Sequence, residues 1–190
     1  MSTERLDPAR TCLLLFDFLV GYASRDRSRY APVLAQAARL LTAARSAGAM
    51  VAFTRADHRP DRATTAQTLH DSETRPPLIT AGTPEADIVP ELAPRPAELV
   101  VPKHRWSAFH GTYLDAALRA RRADTIVLCG GSTEIGISST AYAARDLDYN
   151  LVIVSDACTS AKADLQAQLM REAFPRLARV RTTAQVLEML

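Results

Sequence analysis

Short, continuous apolar runs punctuate this chain, and longer amphipathic stretches separate them. A short run that is apolar on both faces is typical of a strand in a parallel sheet with helices covering each side. Six runs fit this description and predict six strands. They are residues 11–16, 49–53, 99–101, 125–129, 151–154 and 178–182.

The intervening stretches place their apolar residues at helical spacing. They predict helices over residues 31–47, 111–122, 134–147, 161–174 and 183–190. The first helix should end at Gly48, a normal C-terminal stop. In the second, Thr112 and Asp115 have a spacing close to that of a capping box. Strands that alternate with helices imply right-handed crossovers. We therefore predict an α/β fold, a doubly wound three-layer α/β/α domain with a mainly parallel six-stranded sheet, spanning residues 1–190.

Residues 55–96 interrupt this alternation. They hold seven of the eleven prolines and show helical spacing only over residues 85–92. A long loop inside a compact domain is more often functional or in contact with a subunit than idle. We expect this loop to line the site or an interface between subunits.

Composition narrows the classes of function. The 190 residues carry a net charge of +2, with basic and acidic groups interspersed, so nucleic acid is not an expected partner. The N-terminal segment has no apolar signal core, and no stretch approaches the roughly 20 apolar residues of a membrane span. We expect a cytoplasmic protein that does not bind a membrane. The three cysteines, Cys12, Cys129 and Cys158, are odd in number and lack metal spacing, which favours buried thiols.

Polar residues follow the predicted strands at their carboxyl ends, where open α/β sheets bind ligands. Asp17 follows the first strand, Lys103 the third, and residues 130–136 form a glycine-rich turn after the fourth. Asp17 suits either an N-cap or a general acid/base. Lys103 is one of only two lysines in an arginine-rich chain, and it suits either a surface position or a partner for Asp17. We expect these groups to meet at one rim.

Motifs for nucleotide binding, for a serine nucleophile and for metal binding have weaker support in the sequence. The glycine turn lacks the spacing of a dinucleotide fingerprint or a phosphate loop, so no nucleotide cofactor is expected. Ser132 nearly fits a nucleophile elbow, but Glu134 stands where that motif has its final glycine. Asp57 and His58, with His70, do not have convincing metal-ligand spacing, and we expect neither metal nor cofactor. Asp156 is interpreted as a cap or turn residue.

Four segments together resemble the isochorismatase-like superfamily, also called the cysteine hydrolases. The resemblance extends from residue 11 to residue 160. The segments are Leu-Leu-Leu-Phe-Asp-Phe at 13–18, Lys-His-Arg-Trp-Ser-Ala-Phe at 103–109, Gly-Gly-Ser-Thr-Glu-Ile-Gly-Ile-Ser-Ser-Thr-Ala at 130–141 and Val-Ser-Asp-Ala at 154–157.

The resemblance implies a hydrolase whose catalytic aspartate and lysine are Asp17 and Lys103. The family's nucleophilic cysteine falls on Gly136, so a thioester cannot form there. Cys129 lies within a strand and is expected only to pack. True isochorismatases also have glycine at this position and cleave a vinyl ether after their aspartate protonates it. They carry a tyrosine where this chain has Ser132.

The same resemblance implies a homodimer or homotetramer and a non-proline cis peptide at Gly131–Ser132. The groups expected to bind substrate surround the three catalytic positions. They are Tyr22, Arg55, Trp106, Phe109, Ser132, Thr133, Glu134 and Ile135. The amides of residues 133–136, at the start of a helix, are expected to hold an anion or oxyanion.

Three functions therefore remain open. The first is acid–base hydrolysis of a small carboxylated molecule, with vinyl ether cleavage favoured. The second is amide hydrolysis by direct attack of water. The third is a catalytically silent binding or assembly protein that has kept the pocket.

Overall fold

Six parallel strands form the central sheet in a computed structural model that describes residues 5–72 and 77–190. The strand order is β3-β2-β1-β4-β5-β6, and every neighbouring pair is parallel. The predicted α/β sheet is confirmed. The strands are β1 Thr11–Phe16, β2 Met50–Ala56, β3 Leu99–Lys103, β4 Thr125–Gly131, β5 Asn150–Thr159 and β6 Arg179–Arg181.

The central strands β1 and β4 are buried along their whole length, as expected when helices cover both faces of a sheet. The helices are α1 Val20–Ala23, α2 Arg27–Ala47, α3 Leu114–Ala120, α4 Ser138–Asp146, α5 Ala163–Gln168 and α6 Thr183–Met189. Within the described residues, no helix is long and apolar enough to cross a membrane.

Helix α2 begins one turn earlier than its apolar spacing predicts. The side chain of Asp26 caps it by accepting a hydrogen bond from the Arg29 amide at 3.1 Å. The added turn contains Tyr30, which is buried. The predicted end is confirmed, because Gly48 adopts a left-handed φ of 74° directly after the helix.

The capping box predicted at Thr112 is wrong. Helix α3 starts later, at Leu114, and the Thr112 hydroxyl donates to the carbonyl of Ala108 at 2.6 Å. The Asp115 carboxylate accepts a hydrogen bond from the Tyr149 hydroxyl instead. A capping box does occur at the start of α6, formed by Thr182 and Gln185.

Two predicted helices are broken into shorter pieces. Residues 134–147 form a single π turn, Thr133–Ile137, followed by α4, and residues 161–174 form α5 followed by a π turn, Leu169–Ala173. The helical piece predicted at 85–92 consists of two 3₁₀ turns, Pro84–Ala86 and Pro90–Leu92, each with proline at its first position.

Strand β5 extends five residues beyond its predicted end and includes Asp156. A register shift between Leu128 and Gly130 allows the extension to pair with the end of β4. Asp156 is therefore a strand residue and not a turn residue. Its carboxylate nevertheless acts as a cap, because it accepts hydrogen bonds from the amide and hydroxyl of Thr183 at 2.7 and 2.9 Å.

The proline-rich loop packs against the ends of β1 and β2. Leu19 bridges to Ile88, and Leu19 and Ile79 share a small core with Ala56 and Ala86. Pro76, one of the loop's prolines, lies outside the described residues. The described parts of the loop thus flank the carboxyl edge of the sheet, where the site was predicted.

Candidate active site

Asp17 and Lys103 form a buried ion pair at the carboxyl edge of the sheet. The Lys103 Nζ lies 2.8 Å from the Asp17 Oδ2, and each side chain is 6% exposed. Asp17 directly follows β1, and Lys103 ends β3, two strands away. The topology therefore brings together two residues that lie far apart in the sequence.

Thr54, on the strand between them, holds the other side of the carboxylate. Its hydroxyl accepts a hydrogen bond from the Asp17 amide at 3.0 Å and donates to the Asp17 Oδ1 at 2.6 Å. One oxygen of Asp17 thus accepts a hydrogen bond and the other forms the ion pair, and the side chain does not cap a helix. The sequence analysis missed Thr54, although it is a hydroxyl residue in the otherwise apolar run at 51–54.

The glycine-rich turn enters the site from β4. The Gly131–Ser132 peptide is cis, which confirms the prediction for that bond. The turn continues as Thr133–Ile137 and leads into α4, so Gly136 lies one residue before its end. Gly136 is buried.

The ring of Phe16 occupies the space above Gly136. A Cβ placed on Gly136 would lie 2.6 Å from the Phe16 Cζ and closer still to its Cε1, well inside van der Waals contact. The same ring lies below the Lys103 Nζ, which is 4.5 Å from the ring centroid. Phe16 therefore contacts both Gly136 and the ammonium that pairs with Asp17.

Two tyrosines lie near the ion pair. Burial raises the pKa of Tyr22 above its ordinary value, and the charge of Asp17 raises it further. Burial also raises the pKa of Tyr30, with smaller contributions from Asp17 and Glu134. Both hydroxyls are therefore protonated at neutral pH and able to donate. Tyr30 was missed because the predicted helix began at residue 31, whereas α2 begins at Arg27.

The residues of the turn have different surroundings. Thr133 is fully buried, and its hydroxyl donates to Gln166, whose amide donates in turn to the carbonyl of Cys158. This chain of contacts anchors the turn to α5 and β5. The Glu134 Oε2 is buried with no hydrogen-bond partner among the described residues. Ser132 is half-buried and Ile135 is 38% exposed.

Three of the residues predicted to line the pocket, Arg55, Trp106 and Phe109, have no described contact with Asp17 or Lys103. Arg55 pairs with Asp57 at 3.3 Å. Trp106 is 67% exposed. Phe109 lies in the main core, and its ring stacks on the ring of Tyr149. Tyr149 directly precedes β5, at the edge of the sheet where the strands begin. The assignment of these three residues to the pocket stays a prediction.

The cysteines lie in the core. Burial raises the pKa of Cys12 and of Cys158 to about 12, and it raises the pKa of Cys129 well above the usual value of a thiol. All three are therefore thiols at neutral pH and poor nucleophiles. Their positions fit packing, as the sequence predicted.

The histidines near the site contact each other. The rings of His58 and His104 have centroids 5.7 Å apart, and His58 also contacts the hydroxyl of Thr64 at 3.2 Å. Burial lowers the pKa of His58, and the neighbouring charges, including Lys103, lower it further. In residues 5–72 and 77–190, the His, Cys, Asp and Glu side chains form no group of three or more able to hold a metal ion.

An open cleft of about 870 Å³ lies at the opposite edge, where the strands begin. Charged groups of both signs line it, among them Arg10, Asp124 and Arg179. Its described lining includes none of the residues predicted for the site. The chemistry of the carboxyl edge, and not cleft size, therefore identifies the candidate active site.

Comparison with known proteins places the chain in a family. The sequence matches the Isochorismatase domain over residues 11–185. It is 33% identical to the uncharacterized isochorismatase family protein YwoC of Bacillus subtilis (strain 168), over 99% of this chain and 98% of the relative. It is 46% identical to the uncharacterized isochorismatase family protein YecD of Escherichia coli O157:H7, but that match spans only half of each chain.

A ureidoacrylate amidohydrolase, RutB of Methylobacterium radiotolerans, is 31% identical over 80% of this chain and 68% of its own length. Among solved structures, an isochorismatase family protein from Burkholderia thailandensis superposes with a TM-score of 0.87. It is 32% identical, and the match covers 98% of both chains. Because the family match covers all six strands of the sheet, the chain belongs to the isochorismatase family of hydrolases.

Proposed function

We propose that this protein hydrolyses a small molecule by proton transfer at Asp17, with Lys103 as its charge-stabilising partner and without a covalent intermediate. The observation that carries the proposal is the buried ion pair of Asp17 and Lys103 beside a Gly136 position that the Phe16 ring has filled. Acid–base chemistry remains available, whereas a nucleophile at position 136 is absent.

The contacts of Asp17 favour a role as general base. Thr54 donates a hydrogen bond to one oxygen of its carboxylate and Lys103 forms an ion pair with the other, so Asp17 is held as a proton acceptor. In this role it removes a proton from water as the water oxygen attacks a carbonyl carbon. Lys103 then stabilises the negative charge on the carbonyl oxygen. Asp17 returns the proton to the leaving nitrogen, and an amine or ammonia departs.

This reaction is hydrolysis of an amide or ureide by direct attack of water. The relationship to RutB, a ureidoacrylate amidohydrolase, supports this class of substrate. The buried, unpartnered Oε2 of Glu134 supports it as well, because the N–H groups of an amide or ureide would supply the hydrogen bond that this oxygen lacks. The Tyr22 and Tyr30 hydroxyls and the amides of residues 133, 134 and 136 would hold the substrate's oxygens, since the amide of Ile135 already donates to the carbonyl of Ser132.

Vinyl ether cleavage is the second candidate, favoured by glycine at position 136. Here Asp17 starts protonated and donates its proton to the vinyl carbon. Water attacks the resulting oxocarbenium carbon, and the hemiketal separates into a ketone and an alcohol. This route needs no nucleophile on the protein. It does need a proton on the carboxylate of Asp17, whose two oxygens already face the hydroxyl of Thr54 and the ammonium of Lys103. We therefore place it second to attack by water.

A substrate panel read out by two products separates these reactions. Small amides and ureides report through released ammonia, and pyruvate-yielding vinyl ethers report through pyruvate. Asp17→Asn should fold, because asparagine tolerates the left-handed φ of 51° at this position, and should lose about 100-fold or more in turnover. Asp146→Asn, at the exposed end of α4, is the matched control and should keep full activity.

Full activity in Asp17→Asn would refute the proposal. A purified wild type that is inert on the whole panel would instead favour a silent binding or assembly protein. Gly136→Cys alone cannot test that alternative, since the added side chain collides with Phe16.

We also propose that the protein assembles as a homodimer or homotetramer through the loop at residues 55–96. Leu69, in this loop, is a large apolar side chain that is fully exposed in the isolated chain. Light scattering should give the mass of an oligomer, and Leu69→Asp should lower that mass. A monomeric wild type would overturn this assignment.

A further inference from the structure

We propose that Phe16 replaces the side chain of the absent nucleophile, so that residues 16 and 136 form one exchangeable pair that decides whether the site can carry a nucleophile. The inference deepens the proposed function, because it explains why this site must use water directly. It assigns to Phe16 a positioning role that its sequence, as the last residue of an apolar strand, does not suggest.

The first support is steric. A Cβ on Gly136 would contact three carbons of the Phe16 ring, at 2.6 Å for Cζ and 3.2 Å for Cδ1, with Cε1 closer than either. Any side chain at position 136 therefore requires the ring to move. The ring is only 1% exposed, so it cannot turn into solvent and would have to displace its core neighbours.

The backbone of Phe16 cannot retreat to make room. Phe16 pairs in register with Thr54 on one side and with Gly130 on the other, in the middle of the sheet. A Cβ on Gly130 would lie 2.8 Å from the Phe16 carbonyl carbon, so the two chains already approach as closely as glycine allows. The backbone that carries the ring is thus held from both sides.

The second support is electrostatic. The Lys103 Nζ lies 4.5 Å from the centroid of the Phe16 ring and 2.8 Å from the Asp17 Oδ2. An ammonium over an aromatic face is attracted by the ring's quadrupole, and the attraction is greater when water is excluded. Phe16 therefore orients the partner of Asp17 while it fills the space over Gly136.

These contacts predict a coupled exchange. A smaller residue at position 16 should open the space that a cysteine at position 136 needs. The thiol would then lie beside the ammonium of Lys103, which favours the thiolate and lowers the pKa of the thiol. The pair Phe16/Gly136 would become a site with a reactive thiol.

The test is a double-mutant cycle of Gly136→Cys, Phe16→Val and their combination, measured by urea unfolding and by alkylation with iodoacetamide. The three native cysteines are buried, so alkylation of the folded protein reports the thiol at position 136. Gly136→Cys alone should be strongly destabilised. The double variant should be more stable than the sum of the single effects predicts, as expected for residues in contact.

The double variant should also be alkylated at least about tenfold faster than Gly136→Cys at neutral pH, with a thiol pKa below the ordinary value of about 8.5. Adding Lys103→Met should raise that pKa, a change that cavity filling alone would not produce. Phe16→Leu replaces Phe16→Val in the cycle if valine leaves β1 too loosely packed to fold.

Strictly additive stabilities, or a Gly136→Cys variant that folds like the wild type and reacts as fast as the double variant, would overturn the proposal. So would a double variant that fails to fold although its residue-16 parent does fold. The alkylation readout needs no substrate. A failure of the substrate panel would therefore count against the proposed hydrolysis and leave the result on Phe16 intact.

Discussion

The hydroxyl of Thr54 makes two hydrogen bonds with Asp17: it accepts one from the Asp17 amide at 3.0 Å and donates one to the Asp17 Oδ1 at 2.6 Å. One side chain therefore fixes both the backbone and the carboxylate of the candidate catalytic residue. Because Asp17 has a left-handed φ of 51°, these two hydrogen bonds also stabilise a backbone conformation that few residues adopt.

Thr54→Val should remove both hydrogen bonds while keeping the shape of the side chain. We expect a loss of about 1–3 kcal/mol in the free energy of unfolding, since a buried amide is left without an acceptor. Turnover should fall by at least about tenfold, because the carboxylate loses its orientation. Urea unfolding and steady-state kinetics on a substrate from the panel measure the two effects.

Thr183→Val is the control for that prediction. Thr183 is fully buried and donates its hydroxyl to Asp156, near β6 and away from Asp17. It should lower stability without lowering turnover. If Thr54→Val behaves in the same way, then Thr54 supports the fold and does not position Asp17.

Lys103→Met should destabilise the protein by about 3–5 kcal/mol, because it leaves the buried carboxylate of Asp17 without a cation. Both side chains are 6% exposed, so solvent cannot take over this role without rearrangement. The double variant Asp17→Asn/Lys103→Met should be less destabilised than the sum of the single variants. Additive losses in urea unfolding would show that the two charges do not depend on each other.

The three cysteines should resist alkylation in the folded protein. Burial raises the pKa of Cys12 and of Cys158 to about 12 and raises that of Cys129 well above the ordinary value, so almost no thiolate forms at neutral pH. Iodoacetamide should leave the mass and the activity unchanged, whereas all three thiols should react in denaturant. Activity that is lost together with one alkylated native cysteine would contradict the proposed mechanism.

Stability should decrease as the pH falls below about 6.5, the ordinary pKa of histidine. Burial, the neighbouring His104 and the charges of Lys103 and Arg105 lower the pKa of His58 in the folded state. The unfolded chain therefore takes up its proton first, and stability declines between that ordinary pKa and the lower folded value. Above this window His58 is neutral in both states and contributes no pH dependence.

Urea unfolding of the wild type and of His58→Asn from about pH 5 to pH 8 tests this assignment. The variant should lose part of the acid-side decline. Parallel curves for the two proteins would assign the decline to other groups.

The sequence was sufficient to predict the sheet and the convergence of Asp17 and Lys103. Both residues follow continuous apolar runs, and topology alone brings the ends of parallel strands to one edge. The partners of these residues were not predictable in the same way. Thr54 contacts Asp17 because β2 lies beside β1 in the sheet. Tyr30 comes near Asp17 because α2 has an extra first turn. Neither the strand order nor the extra turn gives a periodic pattern in the sequence.

The contact between Phe16 and Gly136 could not be predicted from the sequence for a related reason. A phenylalanine that ends an apolar strand predicts a core position, and Phe16 is indeed buried. Its contact with Gly136 joins residues 120 positions apart, and only the packing of β1 against the turn after β4 reveals it. Likewise, the bulge that extends β5 past Asp156 depends on pairing with β4 and not on local sequence.

The filled space over Gly136 also has a consequence for how such a chain can change over evolutionary time. A single codon change that introduced cysteine at position 136 would meet the Phe16 ring, and a single change that shortened residue 16 would leave a cavity and an unsupported Lys103. Each single change therefore disturbs a contact that the present pair of residues makes. Residues 16 and 136 therefore constrain each other, since a side chain at position 136 avoids the ring only if residue 16 changes with it.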